Sequence, residues 1–216
     1  MANITRKKRI SKSKVCVLLA LIILLVLGGV LAFKKLSANS SKKKAKNISE
    51  IKGYGYVLKD NATAYYKKLF KELSDVLNKK NVDENKYMQL ISKMFVADFF
   101  NLDNKISKND VGGKQFVYAN YQSDFEKFAM DSMYKSVESN VYGNRKQTLP
   151  VVNEVELKNT TNEAYKYGQN TDSNAYVVNF EIEYAKDLGY QKSGSLKIIH
   201  NDKKLEIVSM SEKSSN

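Results

Sequence analysis

The chain of 216 residues has no tryptophan and only one cysteine, one proline and one histidine. A lone cysteine excludes an intramolecular disulfide, and with one histidine the usual zinc sites of several Cys and His ligands cannot be assembled. Cys16 lies inside an apolar run, so the rest of the chain has no cysteine at all. That suits either redox compartment and leaves stability to packing. Acid is also missing where it would matter. Residues 1–46 hold 12 of the 36 Lys and Arg and none of the 23 Asp and Glu. The formal charge of +13 is therefore local, and residues 47–216 are nearly neutral. A distribution of this kind argues against a basic nucleic-acid-binding domain.

What the first segment does contain is residues 15–33, a run without a charge, rich in Leu, Val and Ile. As a helix it spans about 28 Å, close to the hydrocarbon thickness of a bilayer. It is longer than the apolar core of a secretory leader, and Leu36-Ser37-Ala38 makes a poor cleavage site because of the Leu. The reading is an uncleaved anchor that places residues 15–33 in the lipid bilayer. Six basic residues, Arg6 to Lys14, precede the run, and six, Lys34 to Lys46, follow it. Flanking charge alone therefore does not orient the anchor. A short, densely charged tail resists translocation, whereas a long domain crosses largely regardless of charge. The expected organisation is a cytoplasmic tail (1–14), a transmembrane helix (15–33), a Lys-rich linker (34–49) and an extracytoplasmic domain (50–216).

Within that domain, Gly53 to Leu58 reads as a short extended piece, and Asp60 as a helix N-cap. Apolar residues at Ala62, Tyr65, Tyr66, Leu69, Phe70, Leu73, Val76 and Leu77 recur with helical period. A second helix begins at the N-cap Asp83 and carries Tyr87, Leu90, Ile91, Met94, Phe95 and Phe99. Its apolar end, Met94 to Phe100, implies a deeper position. Residues 101–114 are full of turn formers. A third helix is predicted from Asn120 to Tyr142, with Tyr121, Phe125, Phe128, Ala129, Met133 and Val137 in phase and Gly143 ending it. From Pro150 the period becomes two. Val151, Val155 and Leu157 begin one strand, and Ala164 to Tyr167 make another piece. Tyr176, Val178, Phe180, Ile182 and Tyr184 share a strand face. Leu196 to Ile199, the turn His200-Asn201-Asp202, and the strand with Leu205 and Ile207 close a meander. Connections this short demand antiparallel pairing. The expected fold class is α+β, three helices on a curved four-stranded antiparallel sheet.

Chemistry is sparse. His200 reads as an exposed turn residue. Asp98, between Ala97 and Phe99, is the one carboxylate inside an apolar run; buried and unpaired, it would have a raised pKa and serve as acid or base. More often such a residue faces water beyond the stripe or caps a neighbouring backbone group, and that is the favoured reading. Glu181 and Glu183 share the solvent side of a strand with Asn179. Asp103-x-Lys105-x-Ser107 places Lys where a calcium loop needs a ligand. Gly112-Gly113-Lys114 is followed by Gln115 and lacks the upstream glycine of a phosphate loop. The tyrosines fall in phase with the core stripes, and some can wall a pocket between helices and sheet. No catalytic, cofactor-binding or metal-binding residue is assigned, and no cofactor is implied.

A short basic tail, one span, three helices and a curved antiparallel sheet resemble a nuclear transport factor 2-like domain on a membrane anchor. The order is similar to that of assembly proteins of type IV secretion and Gram-positive conjugation machines. The resemblance covers most of the chain as architecture. The Asn-Pro-x-Gly element of the secretion family is absent, since Leu149 precedes Pro150, and no functional residue is carried over. It implies a membrane-anchored interaction or scaffold domain outside the bacterial cell, with protein partners or self-association and without enzymatic activity. A small-ligand module using the helix–sheet pocket and an anchored enzyme using Asp98 or a Tyr–carboxylate pair are the alternatives.

Overall fold

The computed structural model describes residues 45–212. The predicted tail, the span at residues 15–33 and the linker up to residue 44 lie outside the described residues. Among the described residues, no helix is long and apolar enough to cross a membrane.

The first element is a hairpin. Strand β1 (Asn47–Ile51) pairs antiparallel with β2 (Tyr56–Lys59). It starts inside the stretch assigned to the linker. Gly53 and Gly55 make the turn with positive φ, and the Ile51 carbonyl accepts from the N–H groups of Tyr54 and Gly55. Asp60 is not a helix cap. Its carboxylate accepts from the Lys46 N–H at 3.0 Å and its own N–H returns to the Lys46 carbonyl, which closes the open end of the hairpin. The cap of helix α1 (Ala64–Leu77) is Thr63, whose hydroxyl accepts from the Tyr66 N–H. The expected stripe is buried: Tyr66, Leu69, Phe70, Leu73, Val76 and Leu77.

Helix α2 (Glu84–Phe99) starts on Asp83 as predicted, with the carboxylate accepting from Lys86 N–H. Toward its end nearly every side chain is enclosed, Phe95, Val96, Ala97 and Phe99 among them. A helix buried almost all round is central to its domain.

The third helix is much shorter than predicted. Helix α3 runs from Gln122 to Asp131 and stops at Ser132, whose backbone leaves the helical region. Beyond it Ser132, Ser136, Ser139 and Asn140 are weak helix formers. Tyr134 and Val137 are buried from turns instead, and Phe128, expected on the core stripe, is exposed. The Tyr134 hydroxyl fixes the path: it donates to the Phe99 carbonyl at 2.6 Å and accepts from the Gly112 N–H at 3.0 Å. Gly143 takes a positive φ, but in a turn closed on Asn140 rather than as the end of a helix.

Strands β3 (Val152–Tyr167), β4 (Asn170–Tyr184), β5 (Ser193–Asn201) and β6 (Lys204–Glu212) form the antiparallel meander in that order. β3 is one strand where two pieces were expected. Its register with β4 shifts at three places, and such bulges bend a strand. On β4, Tyr176, Val178, Phe180 and Ile182 point inward while Glu181 and Glu183 face solvent. The inner face meets α2 through a layer of rings, with Phe100 6.0 Å from Phe180 and Phe99 5.0 Å from Phe100. The α+β class with three helices and a four-stranded antiparallel sheet is thus the observed architecture.

Because Phe100 is fully enclosed between helix and sheet, Phe100→Ala should lower the unfolding free energy by about 3–5 kcal/mol. Phe128→Ala should change it by less than about 0.5 kcal/mol. Urea denaturation of the two variants checks the contrast; equal effects would refute this description of the core.

Candidate ligand-binding groove

Asp98 sits in the last turn of α2, and the loop from Asn101 to Lys114 folds back over it. Its Oδ1 accepts from Lys105 Nζ at 2.5 Å and its Oδ2 from the Gly113 N–H at 2.7 Å. The close approach depends on two glycines. A Cβ on Gly112 would lie 2.2 Å from the Asp98 carbonyl oxygen, and Gly113 has φ +77° with Phe95 Cδ2 2.7 Å from where its Cβ would be. The pair read as a failed phosphate loop is therefore a built anion cradle, and the anion in it is the chain's own carboxylate.

Lys105 is only 4% exposed, whereas every other Lys in a described ion pair is at least 37% exposed. Burial acts to raise the pKa of Asp98, but the charge and hydrogen bond of Lys105, the Gly113 N–H and the charge of Lys59 together hold it below the usual value. Of the two readings of Asp98, the backbone cap is the one observed and the unpaired acid with a raised pKa is not. Asp98 caps a backbone N–H and is held ionised, a poor starting point for general acid catalysis at neutral pH.

The loop is fastened at several further points. Asn101 donates to Asn104 Oδ1 and accepts from the Val152 N–H, joining it to β3. Asn104 and Asn61 exchange side-chain to carbonyl bonds at 3.0 and 3.1 Å. The guanidinium of Arg145 donates to the carbonyls of Lys105 and Asp103. Gln115 accepts from the Val57 N–H and donates to the Tyr66 hydroxyl, buttoning β2 to α1.

These segments enclose a groove of about 440 Å³. Its walls come from β2, the start of α1, the end of α2, the 101–114 loop, the turn at Lys114–Phe116 and α3. Lys59 and Asp110 pair at 3.4 Å, Lys114 and Glu126 at 2.8 Å, and Lys105 and Asp98 pair deeper in. Three cations and three anions leave the walls without net charge. The volume lies within the range of small-ligand sites. None of the lining belongs to β3–β6, and Tyr66 is the one tyrosine in it. This groove is thus not the expected tyrosine-walled pocket over the sheet; the tyrosines mostly close the core, as where the hydroxyls of Tyr56 and Tyr87 meet at 2.6 Å.

The remaining candidates lie elsewhere. Glu181 is on the outer face, 3.1 Å from Lys158 Nζ, with Glu183 exposed two residues along. His200 is not a turn residue. It lies within β5, one residue before its end, and both ring nitrogens face carboxylates, Asp172 and Glu84. Among the described residues, no group of three His, Cys, Asp or Glu is arranged to hold a metal ion. No protein-family model, curated protein or solved structure matches the chain.

Among the described residues, the charge of Lys105 is paired with Asp98 alone. Asp98→Asn should therefore cost about 3 kcal/mol or more in urea denaturation, while Asp98→Asn combined with Lys105→Met should cost less than the two single changes added together. Strict additivity would show that the pair is not coupled. The pH dependence has a definite sign. The folded pKa of Asp98 is lowered, so its contribution is present above the unfolded value of about 3.9 and is lost as pH falls through the lower folded value. Acid unfolding of Asp98→Asn should accordingly be shallower than that of wild type.

Proposed function

We propose that the chain is a single-pass membrane protein whose α+β domain lies outside the cell and works by binding, with the groove beside Asp98 as its recognition site. The observation that carries this reading is the groove itself. Segments distant in sequence are fastened around it by side-chain hydrogen bonds, and its charges are neutralised within its own walls. A site built for acid–base chemistry needs a group poised to exchange a proton, and Asp98 is held ionised. An internally neutral wall also suits a partner without high net charge, in line with a role away from nucleic acid.

Anchoring rests on the uncharged run at residues 15–33, and the orientation, with the N-terminus cytoplasmic, on the short basic tail. The resemblance to nuclear transport factor 2-like assembly proteins supplies the class of role. This is a scaffold or assembly subunit of a bacterial envelope machine, with the groove receiving part of another subunit.

Two measurements test this. In a Cys16→Ser background, a cysteine at Ser211 should react with a membrane-impermeant thiol reagent in intact cells, and one at Ser11 should not. The reverse pattern would place the domain in the cytoplasm. A photo-crosslinking residue at Asn109, on the groove, should capture a discrete partner in cells expressing the full chain, while one at Glu183, on the outer face of the sheet, should not. Capture from Glu183 alone would move the recognition surface to the sheet.

A further inference from the structure

His200 is the chain's only histidine, and its surroundings are unusual for a residue near a strand end. Its Nδ1 lies 2.8 Å from Asp172 Oδ2, and its Nε2 lies 3.2 Å from Glu84 Oε1. Both partners can only accept when ionised, so both ring nitrogens must carry a proton for both contacts to be hydrogen bonds. Neutral imidazole has one N–H and would turn a lone pair toward one of the carboxylates.

Each carboxylate is held in place by groups other than the ring. Asp172 is 8% exposed and also accepts from the backbone N–H groups of His200 and Asn174. Glu84 accepts from the Tyr176 hydroxyl at 2.6 Å and stands at the first position of α2, where the helix dipole favours a negative charge. The Tyr176 ring lies 5.4 Å from the imidazole. Asp202 and Lys203 of the β5–β6 turn, Lys204 of β6, Tyr87 of α2 and Tyr54 of the β1–β2 turn share the adjoining recess of about 200 Å³. Asp202 there offsets one of the two lysines, and the ring's direct contacts are both anionic.

We propose that His200 is a pH-operated clamp: as an imidazolium it ties the first turn of α2 to β5, and on losing its proton it releases Glu84 while keeping Asp172. The choice of which contact breaks follows from the geometry. The Asp172 bond is shorter and more enclosed, and Asp172 stays fixed by two backbone donors. Glu84 is more exposed and keeps Tyr176 as a partner after release. The consequence is local: the recess bounded by Glu84 and His200 loses its tie at one side while the core beneath α2 stays packed.

The directions of titration agree with this picture. Burial acts to lower the pKa of His200, but the hydrogen bonds and charges of Asp172 and Glu84 outweigh it and raise the value. Glu84 is lowered, by the Tyr176 hydroxyl first and then by His200. For Asp172, burial acts to raise the value, and the backbone donors and the ring bring it below normal. A raised folded pKa means the histidine's contribution is fully present below the unfolded value of about 6.5 and is lost as pH rises through the folded value. The two carboxylates lose theirs only in acid, as pH falls through their lowered values.

The test is a pH titration of the full chain in detergent, following the His200 ring by nitrogen-15 NMR and the Lys86 and Tyr87 amides by hydrogen exchange, each rate divided into its intrinsic base-catalysed value to give a protection factor. Both ring nitrogens should be protonated at about pH 6, with a midpoint above about 6.5. The protection factors of Lys86 and Tyr87 should fall through the same midpoint, while those of the Phe95 to Phe99 amides stay constant. Glu84→Gln should lower the midpoint, and His200→Gln should make the Lys86 and Tyr87 protection factors independent of pH above about pH 6. A midpoint at or below about 6.5, or an α2 start whose exchange ignores the histidine's titration, would overturn the clamp. Glu84→Gln retains the Tyr176 contact, so the test survives even if His200→Gln fails to fold.

Discussion

The carboxylate of Asp98 joins the end of the central helix to the loop that walls the groove, and both sides of that contact are costly to lose. Lys105 brings a charge into an enclosed position, which is tolerated only because the carboxylate meets it. Gly113 can offer its N–H only because the backbone takes a positive φ, and Gly112 can pass over the helix end only because it has no side chain. Tyr134 ties the same backbone to the Phe99 carbonyl, so the path after α3 is committed to the same place. The shape of the groove therefore depends on an ion pair, two glycines and a hydroxyl that are coupled, rather than on the hydrophobic layer alone.

The two ends of α2 have different characters. At its start, Glu84 meets His200 at a partly exposed junction with the sheet. At its end, Asp98 is partly buried and held ionised beside the groove. Between them Tyr87, Met88, Ile91, Met94, Phe95 and Val96 are buried. Local opening is thus expected only in the first turn, where Glu84, Asn85 and Lys86 are exposed, and is resisted from the Tyr87 side chain onward.

Much of the fold was legible because burial leaves a period in the sequence. The stripe of α1, the whole course of α2 from Asp83, and the inward face of β4 are placed by apolar spacing. The continuity of β3 was hidden because Asn159 to Glu163 pair with β4 through the backbone while their side chains are exposed, and such pairing leaves no apolar pattern. The start of β1 was hidden for a related reason: it adjoins a Lys-rich stretch, and the Asp60 contact that closes the hairpin is 14 residues away. The end of α3 was misplaced because Tyr134 and Val137 keep helical spacing while being buried from turns. Of the groove, sequence offered Asp98 and the Gly112-Gly113 pair as separate oddities. Nothing local joins them to Lys105, and Gln115 and Arg145 act on backbone groups 58 and 40 residues distant.

Recognition at an internally neutral groove, on a domain tethered by residues 15–33, is the central claim. Its most direct measurement compares hydrogen exchange of the chain in its native membrane with that of the chain purified alone in detergent. Added protection in the membrane at residues 57–63, 104–115 and 122–126 is the predicted result. Identical exchange in these segments, with any protection confined to the outer face of β3 and β4, would contradict a binding role for the groove.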